Sequence, residues 1–401
     1  MKHLLLTTIL ASVYSRTAIN CHYSGRVFST FAAANLLLFG GITELNADPL
    51  TYEVTGDTVT VKDCKKTASG ALVIPHTYEG KPLTKIGDDA LSGCSSLTSV
   101  IIPDSVTIIG EWAFSGCSSL TSVTIDGNVI SIPLGAFAGC SSLAGVTLSD
   151  SVTSIGHLAF AGCRSLASMT FPKSLTYISW GAFEGCSSLT SLTIPDSITR
   201  IEGETFQGCS SLTNVMIPDS VISIGRASFS GCSSLTSIAI GNSVTTIGEQ
   251  AFESCSSLMG VIIPDSVTSI GNATFKKCSG LTRITIEGNA PKNYASNLFE
   301  GVSENAKIFV NAGATGFGET FAGLPVQILK KLKINAISTT DSPFTVSFIT
   351  AVGSTYEFQA SGDLKNWSKV EEIKGNGGEV KVTDFREALF QKQYYRVKLV
   401  D

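Results

Sequence analysis

From Cys94 onward the apolar positions come in short alternating runs that return at a fixed interval. Leu97, Val100 and Ile102 are set among small or polar residues, as in a strand with one buried face. Pro103, Asp104 and Ser105 then turn the chain, and proline fits there because no ladder N–H is needed. Val106 and Ile109 predict a second extended segment, Gly110 a bend, and Ala113 with Phe114 an apolar closure. The pattern restarts at Cys117. Cysteines stand at 94, 117, 140, 163, 186, 209, 232, 255 and 278, always 23 residues apart. The text between them keeps the form C-x-S-L-x-x-V-x-I-P-x-S-V-x-x-I-G-x-x-A-F-x-G. One such unit leaves its apolar face open. Stacking on like neighbours buries that face, so stability belongs to the array. Each Leu, Val, Ile or Phe buried this way contributes roughly 1.5–3 kcal/mol before entropy.

A unit of this length built on L-x-x-V-x-I lies within the leucine-rich-repeat range. The text IPDSVTSIGxxAFxGCSSLTS resembles the BspA-like, Treponema-type leucine-rich repeats of bacterial and some protist surface proteins, over residues 70–329. Tyr52 to Leu91 resembles the usual opening cap and Glu287 to Ile328 the usual closing one. Terminal units must differ because their outer faces meet water. The expected fold is a β-rich solenoid: an N-terminal cap over 48–93, nine 23-residue units over 94–300 with the last atypical, and a C-terminal cap over 301–329. A small all-β, sandwich-like domain is expected over 330–401. There Phe344 to Thr350, Thr355 to Ala360, Glu379 to Thr383 and Tyr394 to Val400 read as strands, and 375–378 as a hairpin loop. This piece resembles small terminal modules of secreted proteins of environmental bacteria. Its Trp367, Tyr356 and Tyr395 are either an aromatic binding site or the core of the module.

The amino terminus reads as an export signal over residues 1–47. Lys2 and His3 precede the apolar stretch Leu4 to Tyr14, and a second stretch, Val27 to Ile42, ends before Leu45-Asn46-Ala47, a small-residue cleavage site. Neither stretch has the length of a comfortable transmembrane span. Cleavage after Ala47 leaves no span in the mature chain, and an uncleaved anchor is the rival reading. Asn20 before Cys21 fits a lipoprotein site badly.

Composition narrows the partners. Only 15% of residues are charged, so Ser, Thr and Gly must cover most of the surface. The formal charge is −5, and loss of Lys2, Arg16 and Arg26 against Glu44 takes the mature chain to −5 − 2 = −7. An acidic chain with no Lys/Arg run makes a poor nucleic-acid binder. Nine cysteines in one column, about a strand spacing apart and pointing the same way, stand too far apart for disulfides. They read as a buried thiol ladder beside a phenylalanine column. A column does not converge on a metal, and Cys64 has no evident partner. No H-E-x-x-H, G-x-S-x-G, Walker A, C-x-x-C or G-x-G-x-x-G motif occurs. The recurring Ser-Ser reads as turn chemistry. The Asp column is interrupted and supplies too few oxygens for calcium. An enzyme is therefore not expected, nor a cofactor or metal.

Two surfaces remain. The outward strand positions include Ser99, Ser122, Ser168, Ser191, Asn214 and Ser237, small and uncharged, suited to broad contact by shape. Beside them run Ile101, Thr124, Thr147, Thr170, Thr193, Met216, Ala239 and Ile262. The second surface breaks the pattern: Trp112, Leu134, His157, Leu158 and Trp180 fill variable positions that later units give to Glu204, Arg226, Glu249 and Gln250. Exposed, they would form a partner site; folded down, the tryptophans would be an outer core. The resemblance implies adhesion in some members, so a secreted or cell-surface protein-binding module is the first expectation. A glycan-binding protein read by the terminal domain, with the repeats as a stalk, is the alternative. An ice- or crystal-binding face is a lesser one, since apolar residues interrupt its Thr columns.

Overall fold

The computed structural model describes residues 48–329, 334–338, 344–350, 355–361, 367–376, 378–384 and 394–400. The export-signal reading of residues 1–47, with Cys21 and the cleavage site, lies outside the described residues. The chain divides into Met1–Pro49 and Leu50–Asp401. Strands, turns and bends make up the second unit, with no helix among the described residues.

The repeats wind into a β-solenoid of about eleven turns. Each coil sets down two extended segments, and most pair in parallel with their counterparts one coil on. In the first sheet Ser99 faces Ser122, Ser122 faces Gly145, and Val261 faces Ile284. In the second Ser131 faces Ser154, and Ser154 faces Tyr177. The turns between them are laced in the same direction: Phe114 N–H donates to the Ala136 carbonyl at 2.8 Å and Phe137 N–H to the Ala159 carbonyl at 2.8 Å. Backbone groups that a lone unit would leave unpaired are thus satisfied by the next coil.

Inside, Leu97, Val100, Ile102, Val106 and Ile109 are buried, as are their counterparts in most later coils. Phe114, Phe137, Phe160, Phe183, Phe206, Phe229, Phe252, Phe275 and Phe299 stack with centroids 5.0–5.7 Å apart and rings within 19° of parallel. The cysteine column stands beside them, buried and unbridged. Thiols of the column also donate to backbone carbonyls of the preceding coil: Cys140 to Phe114 at 3.1 Å, Cys163 to Phe137 at 3.2 Å, Cys278 to Phe252 at 3.1 Å. Cys64 joins this column. It is buried, and Cys94 Sγ lies 3.8 Å from its carbonyl oxygen.

Two positions per coil carry left-handed backbone. One precedes the cysteine, where Gly93, Gly116, Gly139, Gly162, Gly185, Gly208 and Gly231 have φ of 69–74°, and Ser254 and Lys277 continue the column at 62° and 60°. The other lies two before the phenylalanine, and there Trp112, Gly135, Leu158, Gly181, Glu204, Ala227 and Gln250 have φ of 50–59°.

At the amino end Leu50–Thr55 and Thr58–Cys64 form an antiparallel hairpin, and Thr58–Cys64 pairs in parallel with Lys81–Ile86. At the carboxyl end Lys307–Asn311 and Leu324–Leu329 extend the first sheet. Beyond Leu329 two three-stranded antiparallel sheets occur. One contains Ile334–Ser338, Phe344–Ile349 and Glu379–Asp384; the other contains Ser368–Lys374, Thr355–Ser361 and Tyr394–Leu399. Their core joins Val346, Phe348, Tyr356, Phe358, Ile373 and Val382. The hairpin expected at 375–378 is not one: the strands on either side belong to different sheets. Buried Thr350 holds the crossover, donating to the Asn376 side-chain oxygen and accepting from Asn376 N–H, both at 3.1 Å.

Candidate functional site

The outward residues of the first sheet form one continuous face. Ser99 and Ser122 are paired neighbours, Ser168, Ser191 and Asn214 bridge in sequence, and Asn214 pairs with Ser237. Ser237 Oγ donates to Asn214 Oδ1. Ser122, Ser168, Ser191, Asn214 and Ser237 are exposed and Ser99 is half-exposed; Gly145 fills the coil between Ser122 and Ser168.

The neighbouring column has more character. Val73 faces Ile101 at its amino end. Thr124, Thr147, Thr170 and Thr193 follow, and then Met216, Ala239 and Ile262. Met216 is 71% exposed, Ile262 54%, and Met259, in the threonine column on the far side of the serine column, 62%. Next come Thr285 and Phe309, paired in register, with the Arg283 guanidinium 4.0 Å over the Phe309 ring. The face is therefore threonine in its middle and mostly apolar toward both ends. Sequence reasoning misses Met259 and Phe309. Met259 carries a signal, a methionine where other coils have threonine or alanine, whereas Phe309 lies in a cap whose register the repeat does not fix.

The second predicted surface is brought together at one edge. Trp112 N–H donates to the Leu134 carbonyl, Gly135 N–H to that of His157, and Leu158 N–H to that of Trp180, at 2.9–3.1 Å. Four adjacent coils thus set the five residues side by side. The large side chains lean onto the following coil, each over a glycine. A methyl group at Gly203 would lie 2.7 Å from Cη2 and Cζ3 and 2.9 Å from Cε3 of Trp180. At Gly135 it would overlap Cδ2, Cε3 and Cζ3 of Trp112, and at Gly181 the nearest atom is Leu158 Cδ2, 2.6 Å away. The rings fold down onto the coil, yet Trp180 stays 41% exposed, with His157 and Tyr177 also exposed.

The aromatic residues of the terminal strands are mostly core. Tyr356 is buried, Tyr395 stacks on Phe358 with centroids 5.4 Å apart, and half-buried Trp367 carries the Arg396 guanidinium 4.2 Å over its ring. Among the described residues no group of three or more His, Cys, Asp or Glu is placed to hold a metal ion. No helix of the described residues is long and apolar enough to cross a membrane.

Residues 84–213 and 199–321 match the sequence profile of the BspA-type leucine-rich repeat region, in six copies, and together span more than half of the chain. The chain belongs to the BspA-type leucine-rich repeat family. This BspA-type solenoid is similar to a leucine-rich repeat protein from Bacteroides ovatus, with 29% identity and a TM-score of 0.60 over 72% of this chain and 77% of that one. A Treponema pallidum leucine-rich repeat protein is 31% identical, with a TM-score of 0.43 over 48% of this chain and 91% of its own. A leucine-rich cell surface protein from Faecalibacterium prausnitzii is 25% identical, with a TM-score of 0.34 over 67% and 94%. No curated protein matches.

Proposed function

We propose that this chain is a secreted or cell-surface protein-binding module and that it presents the strand face of its solenoid to the partner. The observation that carries this reading is the group Met216, Ile262 and Met259, large apolar side chains held in the open with Ala239 between the first two, on a face whose middle is threonine. Contiguous exposed apolar surface of this kind marks interaction sites, and methionine suits them because it repacks readily. Ser99, Ser122, Ser168, Ser191, Asn214 and Ser237 form the polar column alongside. Kinship with BspA-type repeats favours adhesion or interaction over catalysis. In this reading residues 94–300 are the repeats, 48–93 and 301–329 the caps, 1–47 the export signal and 330–401 a separate small β domain.

The test is capture of proteins from cell-surface and matrix extracts by the full chain, by a chain ending at Leu329 and by the Met216→Glu/Ile262→Glu variant. The same protein partner is expected on the first two and reduced at least tenfold on the third. Capture that needs residues beyond Leu329, or that ignores the double substitution, contradicts the reading.

A further inference from the structure

The edge that carries Trp112 and Trp180 has a geometry the strand face lacks. Three consecutive atoms of the Trp180 ring lie at nearly equal distance from the point a Gly203 Cβ would occupy. That is possible only if the point sits over the face of the ring, because an in-plane approach would leave the flanking atoms much farther away. The same holds for Trp112 above Gly135. The residues at the same positions one coil on, Leu158 after Gly135 and Arg226 after Gly203, are half-buried and exposed, so these positions lie at the surface of the coil. Each indole therefore lies flat across its glycine; Trp180 is exposed and Trp112 half-buried. Trp180 keeps 41% of its surface exposed, in line with one free face. The two seats, Gly135 and Gly203, are three coils apart along the axis, about 14–15 Å at one strand spacing per coil, and stand at adjacent positions of the coil, two and three residues before its phenylalanine. Flat indoles, uncharged neighbours in Leu134 and Leu158, the exposed imidazole of His157 in a coil between them, and the exposed phenol of Tyr177 in the coil of Trp180 itself complete the edge.

We infer that this edge is a glycan platform, on which a neutral β-1,4-linked pyranose chain lies along the solenoid axis. One coil advances by nearly the length of one pyranose in an extended β-linked chain. Trp112 and Trp180 then stack on the C–H faces of sugars three residues apart, where an amphipathic aromatic surface meets an amphipathic ring. His157 takes a hydroxyl in between, and Tyr177 one beside the sugar on Trp180. The site is separate from the strand face and needs neither the protein-partner reading nor the terminal β strands.

The test is tryptophan fluorescence titration of the full chain with cello- and chito-oligosaccharides of two to six residues. Binding is expected to strengthen at least tenfold between the dimer and the tetramer, the shortest chain to reach both indoles, and to change little beyond. Trp180→Ala and Trp112→Ala each weaken tetramer binding at least tenfold, Trp180→Tyr largely restores it, and Trp367→Ala leaves it unchanged. Gly203→Ala, which keeps the indole but lifts it from its seat, weakens binding as well. Circular dichroism of each variant shows that the solenoid is intact. No binding of either oligosaccharide series by the wild-type chain overturns the proposal. So does binding that survives the double Trp→Ala variant, or that is lost with Trp367. Protein capture that fails when the edge is mutated, with no oligosaccharide bound, makes the edge a protein site and overturns it too.

Discussion

Cys186 and Cys232 sit deep in their column, each donating its thiol hydrogen to a phenylalanine carbonyl at 3.2 and 3.3 Å. Burial pushes both thiols up to about 12, against the lowering effect of a backbone hydrogen bond from the preceding cysteine. The thiolate is the reactive form, so Cys186 and Cys232 should not react with a thiol reagent in the folded chain at pH 8, and both should react once it is unfolded. Rapid labelling of either in the native protein would contradict this. The pH dependence follows by linkage. The folded chain holds these protons up to about pH 12, while the unfolded chain releases them from roughly pH 8.5. The unfolded state then binds fewer protons, so stability falls as pH rises through that window and is flat below it. Denaturant midpoints measured from pH 7 to 11 should show the decline, shallower in a Cys186→Ala/Cys232→Ala variant. A different residue lowers stability without compensation. Ser228 takes the place of the usual alanine before Phe229, and its buried hydroxyl finds no hydrogen-bond partner among the described residues. Ser228→Ala should stabilise by about 1 kcal/mol, read as a raised Tm. Thr205 and Thr274 occupy the same column without that penalty, since they donate to Glu202 and Gly271 carbonyls at 2.8 and 2.7 Å. The thiol ladder is legible from spacing alone, because a fixed period forces like residues into columns. The seating of Trp112 and Trp180 is not. Glycines 135 and 203 stand 23 residues after them, but which way a side chain leans depends on the left-handed backbone at Trp112, which no propensity announces.

Within one coil, the phenylalanine stack and the left-handed turns decide whether neighbours fit. Phe206 lies between Phe183 and Phe229, 5.7 and 5.4 Å from each. Phe206→Ala should cost about 3–5 kcal/mol, and the loss should appear as a lower transition midpoint or as an early transition if the array splits there. Ser254 and Lys277 hold the conformation that glycine supplies in the seven coils before them. A left-handed turn costs an L-residue about 1–2 kcal/mol, so Ser254→Gly and Lys277→Gly should each raise stability by up to about 1 kcal/mol, and an unchanged denaturation curve would count against the strain. The strands of the repeats are readable because Leu97, Val100 and Ile102 alternate in a way only a half-buried strand requires. The Gly-rich stretch 375–378 misleads, since glycines mark a turn but not whether the strands it joins pair with each other or with strands farther away. Here Thr345, Val346 and their neighbours take Glu379–Asp384, and Tyr356 and Phe358 take Ser368–Lys374.

The repeat region is a stack of near-identical coils whose inner columns are fixed by packing and whose outer columns are free to vary. The last repeat interval, Phe275 to Phe299, is 24 residues rather than 23, yet the rings still stack at 5.7 Å. The register therefore tolerates an added residue in a turn. Deleting one whole unit, Cys163 to Gly185, should leave a folded solenoid one coil shorter with a reduced Tm, because every inner column closes on its own kind. Collapse to an unfolded chain would mean that the coils are less interchangeable than their contacts indicate. Above all, the strand face around Met216 is where a protein partner is expected to sit. A photo-crosslinking scan of the full chain on cell-surface extract probes that contact itself, with the reactive residue placed in turn at Met216, Ile262, Trp180 and Thr245, the last beside the second sheet. One protein adduct shared by Met216 and Ile262 and absent at Thr245 is the expected result; adducts at Thr245 alone, or equally at every position, would contradict it.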